Sequence, residues 1–243
     1  MTIEFRSPRT GDESRLRDLF TEAFGDAAFT DLFFRTGYAP EQCLMASSGE
    51  ILAALHWFDC TLEGQKAAYL YGIATFEAHR GLGIASRLIR SALTVLEAQG
   101  YGPVFLVPAE ESLFGYYERL GFRPVSTIQE FFANAGTPLP LRKLTVTEYA
   151  EMRKRLLPEH SLLQEGACLD LFGAYADFYA TDRSLCAVTD HMVWELLGDV
   201  SEASGILAAL ELPCATVRTP GTGRPFAMAV KADRPVYLGL AFD

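Results

Sequence analysis

The sequence has few cysteines, and their arrangement offers neither a disulfide framework nor a zinc site. Five occur among 243 residues, an odd number, and no two of them form a C-x-x-C pair. They are Cys43, Cys60, Cys168, Cys186 and Cys214. Scattered thiols of this kind are typically buried and reduced. We therefore expect no disulfide and no metal ion.

Long apolar runs and an excess of basic side chains are also missing. The longest apolar run, residues 51–58, is interrupted by His56 and is far too short to span a bilayer. The first residues lack the apolar stretch of a signal peptide. With 21 Lys and Arg against 31 Asp and Glu, the net charge of −10 repels nucleic acid and anionic membranes. These absences predict a cytoplasmic protein that binds neither, whereas an amine-bearing partner is compatible with the charge.

The length and the hydrophobic pattern predict two compact units. In residues 1–132, strands are predicted at 3–6, 44–46, 51–60, 66–76, 104–107 and 125–132. Helices are predicted after Asp12, around 29–34, from 83 to 100 and over 111–120; the apolar face of the first is Leu16, Leu19, Phe20 and Phe24. Small residues and prolines make 133–140 a linker. Residues 141–243 then form a smaller α/β domain whose order of strands and helices weakly resembles that of the first.

Residues 71–85 carry the clearest chemical signal, because a strand there enters a glycine-containing turn that opens an amphipathic helix. Glycine lets the backbone approach a ligand closely, and the first turn of a helix presents unpaired N–H groups. The helix dipole adds positive character, so an anion such as a pyrophosphate fits this position. Arg80, Arg87 and Arg90 lie at or near the turn and could meet further phosphates. We call residues 80–85 the glycine turn.

The glycine turn matches neither of the common nucleotide motifs, G-x-x-x-x-G-K-[ST] and G-x-G-x-x-G followed by an acidic residue. Its Arg80-x-x-Gly83-x-Ala85 pattern instead resembles the R/Q-x-x-G-x-G/A signature of the GNAT superfamily of N-acetyltransferases. A second block, Tyr117-Glu118-Arg119-Leu120-Gly121-Phe122, is similar to the Y-x-x-x-G-F block of the same superfamily. The opening strand and helix also match, so the resemblance covers roughly residues 1–132.

The resemblance implies an α+β fold of the three-layer α/β type. Its twisted, mostly antiparallel sheet splays open after the fourth strand and carries helices on both faces. It also implies acetyl-CoA as cosubstrate, with the pantetheine in the splay and the pyrophosphate on the glycine turn. The residues that would bind it are Ile73, Ala74, Thr75, Arg80, Gly81, Leu82, Gly83, Ile84 and Ala85.

The resemblance further implies direct attack of an amine on the thioester, with a backbone N–H near Ala74 or Thr75 polarising the carbonyl. Tyr117 matches the superfamily's general acid, since a phenol is protonated at neutral pH and can donate to a leaving thiolate. The alternative for Tyr117 is a core aromatic on the face of Leu113, Phe114 and Leu120. Tyr116 is the rival for the acid role.

The sequence does not identify the general base. Residues 108–112 depart from the family pattern, which has an asparagine before the last helix. Glu110 and Glu111 are acid–base candidates, but acidic residues at a helix start also serve as ordinary caps. His56 and Asp59 lie on a strand expected near the acceptor, and a lone strand histidine is more often structural. His79 lies in the turn and is expected to be solvated.

The second unit lacks the R-x-x-G-x-A pattern and is expected to bind no second acetyl-CoA. We interpret it as a degenerate half of the same fold that shapes the acceptor pocket or a homodimer contact; a merely structural role is the alternative. In related two-domain acetyltransferases the terminal carboxylate lies near the active site, which makes Asp243 a candidate. The acceptor is a small-molecule or peptide amine. Two other functions stay open, a non-catalytic acyl-CoA-binding sensor or regulatory module, and an interaction scaffold.

Overall fold

The computed structural model describes residues 2–242, and its helices and strands confirm the expected mixed α/β architecture. Seven α-helices lie within this range: α1 Glu13–Phe24, α2 Ala27–Thr36, α3 Ile84–Ala98, α4 Phe114–Glu118, α5 Val146–Leu156, α6 Ala167–Tyr175 and α7 Ala203–Ala209. The strands of the same range are β1 Glu4–Arg6, β2 Cys43–Ser47, β3 Ile51–Leu62, β4 Gln65–Thr75, β5 Val104–Leu106, β6 Arg123–Pro124, β7 Thr127–Asn134, β8 Arg142–Leu144, β9 Leu163–Gln164, β10 Asp177–Ala180, β11 Ser184–Val188, β12 Met192–Gly198, β13 Cys214–Pro220, β14 Arg224–Pro225 and β15 Met228–Val230. None of the helices in residues 2–242 is long and apolar enough to cross a membrane.

The first sheet has the order β1-β2-β3-β4-β5-β15-β6, with the short β9 paired to β3. The neighbours β1–β2, β2–β3 and β3–β4 are antiparallel. β4 and β5 run parallel and pair only through Ala68 with Val104 and Tyr69 with Phe105. Beyond Tyr69 the two strands separate, which is the splay that the resemblance implies.

The second sheet repeats this plan in the order β14-β7-β13-β12-β11-β10-β8. The pairs β8–β10, β10–β11 and β11–β12 are antiparallel. A single parallel step follows, with Met192 opposite Thr216 and Val193 opposite Val217. In both sheets a helix connects the two parallel strands: α3 joins β4 to β5, and α7 joins β12 to β13. This shared order supports the interpretation of the second unit as another copy of the fold.

The two sheets exchange strands across the expected domain boundary. β7, which corresponds to the strand predicted at 125–132 as the last of the first unit, pairs with β13 and β14 of the second sheet. In return β15 lies between β5 and β6 of the first sheet. Ala133 and Asn134, the first two residues of the predicted linker, belong to β7. The division into 1–132, 133–140 and 141–243 stays a prediction, and strands cross it in both directions.

Three apolar cores result. One face of the first sheet packs on α3 through Ile84, Leu88 and Leu96. Its other face shares a large core with α1, α2, α5 and α6 that extends to the second sheet. The third core lies between the second sheet and α7. Phe24, predicted on the inward face of α1, is instead 50 % exposed because it lies at the last turn of that helix, where a cavity opens.

A buried ion pair between Arg153 of α5 and Glu195 of β12 lies within the second half of the chain. Glu195 also accepts hydrogen bonds from the phenols of Tyr149 and Tyr237. Gly239 lies against this carboxylate so closely that a Cβ atom there would overlap it. The ion pair therefore fixes the path of residues 237–242.

Candidate functional site

A cavity of about 410 Å³ opens where β4 and β5 separate. Its walls come from β4, from the segment after β5, from the α1–α2 junction and from the second half of the chain. The lining residues are Phe24, Asp26, Phe29, Tyr69, Leu70, Tyr71, Gly72, Ile73, Leu106, Val107, Ala109, Leu113, Tyr117, Tyr175, Trp194 and Phe242. Both halves of the chain thus contribute to a single site.

An irregularity in β4 directs its backbone into the cavity. The register with β3 shifts between the Ala54–Ala74 and His56–Tyr71 pairs, so β4 carries an additional residue there. Gly72 within this bulge has φ +59°, and a Cβ atom on it would overlap the ring of Phe20. Only glycine satisfies both conditions, and bulges of this kind re-aim a strand next to a binding site.

The predicted β4 residues take different positions after the bulge. Ile73 is half-buried and lines the cavity. Ala74 is buried and pairs with Ala54, and Thr75 pairs with Ala53 at the end of the strand. The carbonyl of Thr75 accepts a hydrogen bond of 3.2 Å from Nε of Arg80. This contact links the end of the strand to the start of the glycine turn.

The glycine turn forms as its sequence predicts. Gly81 and Gly83 have φ +76° and +68°, and Gly83 is the N-cap of α3 without a capping side chain. A Cβ atom at either glycine would meet no protein atom within 4 Å, so ligand can approach the backbone. Leu82 is 67 % exposed, whereas Ile84 is buried and anchors the helix. The first amides of α3 therefore present an uncapped, positively polarised end to solvent.

The remaining turn residues flank this end. Ala85 is half-buried, and Arg80, Arg87 and Arg90 are exposed. The guanidinium of Arg87 lies 5.3 Å from the ring centre of Phe5. The nine predicted cofactor residues thus form two stretches, 73–75 at the end of β4 and 80–85 at the start of α3, and Ile73 alone among them lines the cavity.

Tyr117 lies in the cavity wall opposite the splayed strand, on the short helix α4. The residue is 8 % exposed, and burial, followed by the neighbouring Tyr116, raises the pKa of its phenol to about 12. Its hydroxyl forms no hydrogen bond to any other residue of the described range 2–242. Tyr116 differs, since its hydroxyl lies 3.0 Å from Oγ of Ser86 and it does not line the cavity. Tyr117, rather than its rival, therefore holds a protonated phenol at the site.

The candidates for a general base on β3 lie away from the cavity. His56 is fully buried; its Nε2 accepts from the Ala39 N–H at 3.3 Å, and its Nδ1 is buried without a partner. Burial lowers the pKa of His56 to about 3, so the ring is neutral. Rings of Phe33 and Phe58 surround it at centroid distances of 5.2 and 5.1 Å. Asp59 accepts a hydrogen bond from the phenol of Tyr101. His56 is therefore a structural histidine.

The other acid–base candidates also lie outside the cavity. Glu110 and Glu111 are exposed and do not line the cavity, which Ala109 reaches instead. Glu110 stands at the N-cap position of a 3-10 turn, but its side chain forms no cap and accepts from Ser112 Oγ at 3.1 Å. His79 lies 3.7 Å from the carboxylate of Glu50. None of these three side chains lines the cavity.

The sequence reasoning missed the side of the cavity formed by Asp26, Phe29, Tyr175 and Trp194. These residues come from α2, α6 and β12, so no local motif joins them. The Gly25-Asp26 pair is the one local sequence feature on this side of the cavity. Gly25 ends α1 with φ +71°, and Asp26 caps α2 by accepting a hydrogen bond from the Phe29 N–H at 2.8 Å. Phe242 also lines the cavity, and the candidate Asp243 lies outside the described residues.

The equivalent turn in the second sheet, between β12 and α7, carries two carboxylates. Asp199 accepts from the Ser201 N–H at 2.9 Å and contacts Arg183. Glu202 is 7 % exposed and accepts from Ser184 Oγ at 2.6 Å and from Arg183 Nε at 3.0 Å. Two carboxylates thus occupy the start of the helix, where the first sheet has glycines and an arginine, and like charge repels a phosphate.

Comparison with known sequences and structures agrees with this geometry. The sequence model of the acetyltransferase (GNAT) domain matches residues 4–125. No curated protein matches the sequence.

Several solved structures share the fold over nearly the whole chain. A GCN5-related N-acetyltransferase from Anabaena variabilis superposes with a TM-score of 0.74 at 12% identity, covering 94% of this chain and 72% of its own. One from Kribbella flavida gives 0.68 at 15%, covering 94% and 70%. Eis1 from Mycobacterium abscessus gives 0.67 at 14%, covering 94% and 73%. At these identities the likeness concerns the fold, and it includes both sheets.

Proposed function

Because the chain belongs to the GNAT acetyltransferase family, we propose that it transfers an acetyl group from acetyl-CoA to a primary amine by direct attack. One observation carries the proposal. Along the chain, a path leads from the cavity lined by Ile73 and Tyr117, through the end of β4, to the uncapped start of α3. A cosubstrate with a pyrophosphate at one end and a thioester at the other fits this path.

The glycine turn supports the binding of the pyrophosphate. Gly81 and Gly83 leave open space where a Cβ atom would stand, and the uncapped amides of α3 can donate to phosphate oxygens. Arg80 and Arg87 add positive charge in an otherwise acidic chain. The bulge at Gly72 would present unpaired β4 backbone to the pantetheine, since β5 has already separated from β4 there.

The chemistry requires a neutral amine, a polarised carbonyl and a proton for the leaving group. As the new C–N bond forms and the C–S bond breaks, the released thiolate takes the proton of Tyr117. The nitrogen of the new amide then loses its extra proton, which returns through solvent to the Tyr117 phenolate. A pKa of about 12 keeps this phenol protonated at neutral pH, as a general acid requires. No side chain forms a covalent bond with the acetyl group in this scheme.

A thiol-release assay tests the proposal. The full chain is incubated with acetyl-CoA and a panel of small and peptide amines, and free thiol is measured together with the mass of the acetylated product. We expect amine-dependent thiol release. Tight acetyl-CoA binding without release on any amine would instead favour the non-catalytic sensor.

A further inference from the structure

One end of the cavity is lined almost entirely by aromatic rings, and we call this set the aromatic cage. Its members are Phe24, Phe29, Tyr71, Tyr175, Trp194 and Phe242. We infer that the acceptor held there is a primary amine with a single positive charge on an aromatic or other apolar body. This inference rests on the proposed function and narrows its acceptor from any amine to this class.

The cage is assembled from both halves of the chain, and five of its six rings contact one another, whereas Phe24 contacts Phe20. Phe29 lies 5.3 Å from Tyr175 and 5.1 Å from Phe242, centroid to centroid. Tyr175 lies 5.7 Å from Trp194. Phe172 stacks behind Phe242 at 4.0 Å and holds it in place. Rings that pack on one another form a rigid wall, so an apolar ligand loses little to rearrangement of the site.

The polar tip of Trp194 is already satisfied within the protein. Its Nε1 donates to Oγ1 of Thr189 at 3.1 Å. The indole therefore offers the cavity an apolar surface rather than a hydrogen-bond donor. A sugar-like acceptor with many hydroxyl groups would find few partners along such a wall and would leave its polar groups unpaired.

Charge restricts the acceptor further. Asp26 is the one carboxylate among the described residues that line the cavity. Its Oδ1 accepts from the Phe29 N–H, which leaves Oδ2 for a ligand. One carboxylate and several ring faces suit one ammonium group, which loses a proton before it attacks the thioester. A polycation would place its other ammonium groups against aromatic rings with no anionic partner.

The volume of the cavity suits a small-molecule acceptor. The cavity of about 410 Å³ also includes the side next to Tyr117 and Ile73, where the thioester would lie. The space that remains suits a compact amine of drug-fragment size. The 50 % exposure of Phe24 indicates that this residue lies at the rim.

Binding and turnover are measured separately to test the inference. The probes are 2-phenylethylamine, spermidine and kanamycin, each with the full chain. Turnover is followed by thiol release, and binding by tryptophan fluorescence, since the chain has two tryptophans and the other, Trp57, is buried elsewhere. We expect the lowest KM and the tightest binding for 2-phenylethylamine.

Variants connect the effect to the cage. Trp194→Ala is expected to raise the KM for 2-phenylethylamine about tenfold while the Kd of acetyl-CoA stays unchanged, and Trp194→Phe should restore most of the loss. Tyr175→Ala, at a residue 39 % exposed, gives a second variant whose fold is less at risk. Phe132→Ala, on a ring 64 % exposed and outside the cavity, is the matched control and should change nothing.

The outcomes separate the two claims. Preference for spermidine or kanamycin, or a Trp194→Ala protein unchanged toward 2-phenylethylamine, overturns the inference and leaves the acetyltransferase proposal standing. Failure of 2-phenylethylamine to bind also overturns the inference. Cage-dependent binding with no acetyl transfer to any amine supports the binding class and overturns the proposed function.

Discussion

The guanidinium of Arg153 clamps the carboxylate of Glu195 with two hydrogen bonds, Nε to Oε2 at 2.6 Å and Nη2 to Oε1 at 2.9 Å. Both side chains are buried, at 1 % and 0 % exposure. The phenol of Tyr237 donates to the same carboxylate at 3.1 Å. Gln164 extends the network by accepting from Arg153 and from the Leu240 N–H. Through these bonds, a charge pair beside the large core that both sheets share fixes the segment that carries Phe242 into the cavity.

Glu195→Gln should destabilise the fold strongly, because it leaves a buried guanidinium without its counter-charge. Removing one partner of a buried pair typically costs about 3–5 kcal/mol. Urea unfolding measures the loss. Asp31→Asn is the control, since Asp31 pairs with Arg17 at the surface with 74 % side-chain exposure, and it should cause no resolvable change. Equal stability of the two variants would contradict this account.

Gly83→Val should abolish tight acetyl-CoA binding without unfolding the protein. The new side chain would project into the open space of the glycine turn, and a β-branched residue at φ +68° also strains the backbone by about 1–2 kcal/mol. Gly100→Val is the matched control at the other end of α3, with φ +80° and equally open space. Calorimetry should show a loss of affinity of at least about tenfold for the first variant only. Unchanged affinity in folded Gly83→Val protein would exclude the turn as the binding site.

Tyr117→Phe should reduce kcat by about 10²–10⁴-fold while acetyl-CoA still binds, because the leaving thiolate loses its proton donor. Tyr116→Phe, which loses the contact with Ser86 outside the cavity, should retain activity. A phenol with a raised pKa loses its proton only as the pH climbs toward about 12. The wild-type rate should therefore show no loss from this group up to about pH 10. Full turnover of Tyr117→Phe would assign Tyr117 to the core alone.

One acetyl-CoA should bind per chain. The turn of the second sheet places Asp199 and Glu202 where a phosphate would have to lie, and Glu202 is held there by Ser184 and Arg183. Calorimetric stoichiometry provides the measurement. A second site of comparable affinity would show that these carboxylates move aside.

A fragment of residues 1–140 should be poorly soluble or inactive, because it retains β7 without β13 and lacks β15, which lies between β5 and β6 of the first sheet. Its unpaired strands would expose backbone and apolar edges. Adding the 141–243 fragment should restore part of the activity, since each fragment carries a strand that the other needs. Size-exclusion chromatography and thiol release follow both steps. A soluble, monomeric 1–140 fragment with full turnover would contradict the role of the exchange.

The glycine turn could be predicted from sequence because its physics is local. Gly81 and Gly83 adopt the positive φ angles that glycine favours, and the 3.6-residue period places Ile84 and Leu88 inward. Tyr117 could be located for the same reason, from one short block. The period-2 pattern of β3 identified His56 as a strand residue but could not show that aromatic rings enclose it.

Contacts between distant parts of the chain could not be predicted from the sequence. The pairing of Ala229 with Phe105 and the contact of Phe29 with Tyr175 depend on how the two halves fold together. No spacing rule joins such residues, because each pair is set by the register of strands far apart in sequence. The aromatic cage and the strand exchange are both of this kind.

The position of β15 has a consequence for biosynthesis. The ribosome must add all of residues 107–227 after β5 before the strand that lies beside it exists. A nascent first half therefore cannot complete its sheet during translation, although N-terminal units commonly fold first. Pairings of such high contact order also slow refolding. The cavity should form in one late step, so that a nascent chain can bind acetyl-CoA firmly only after both halves have emerged.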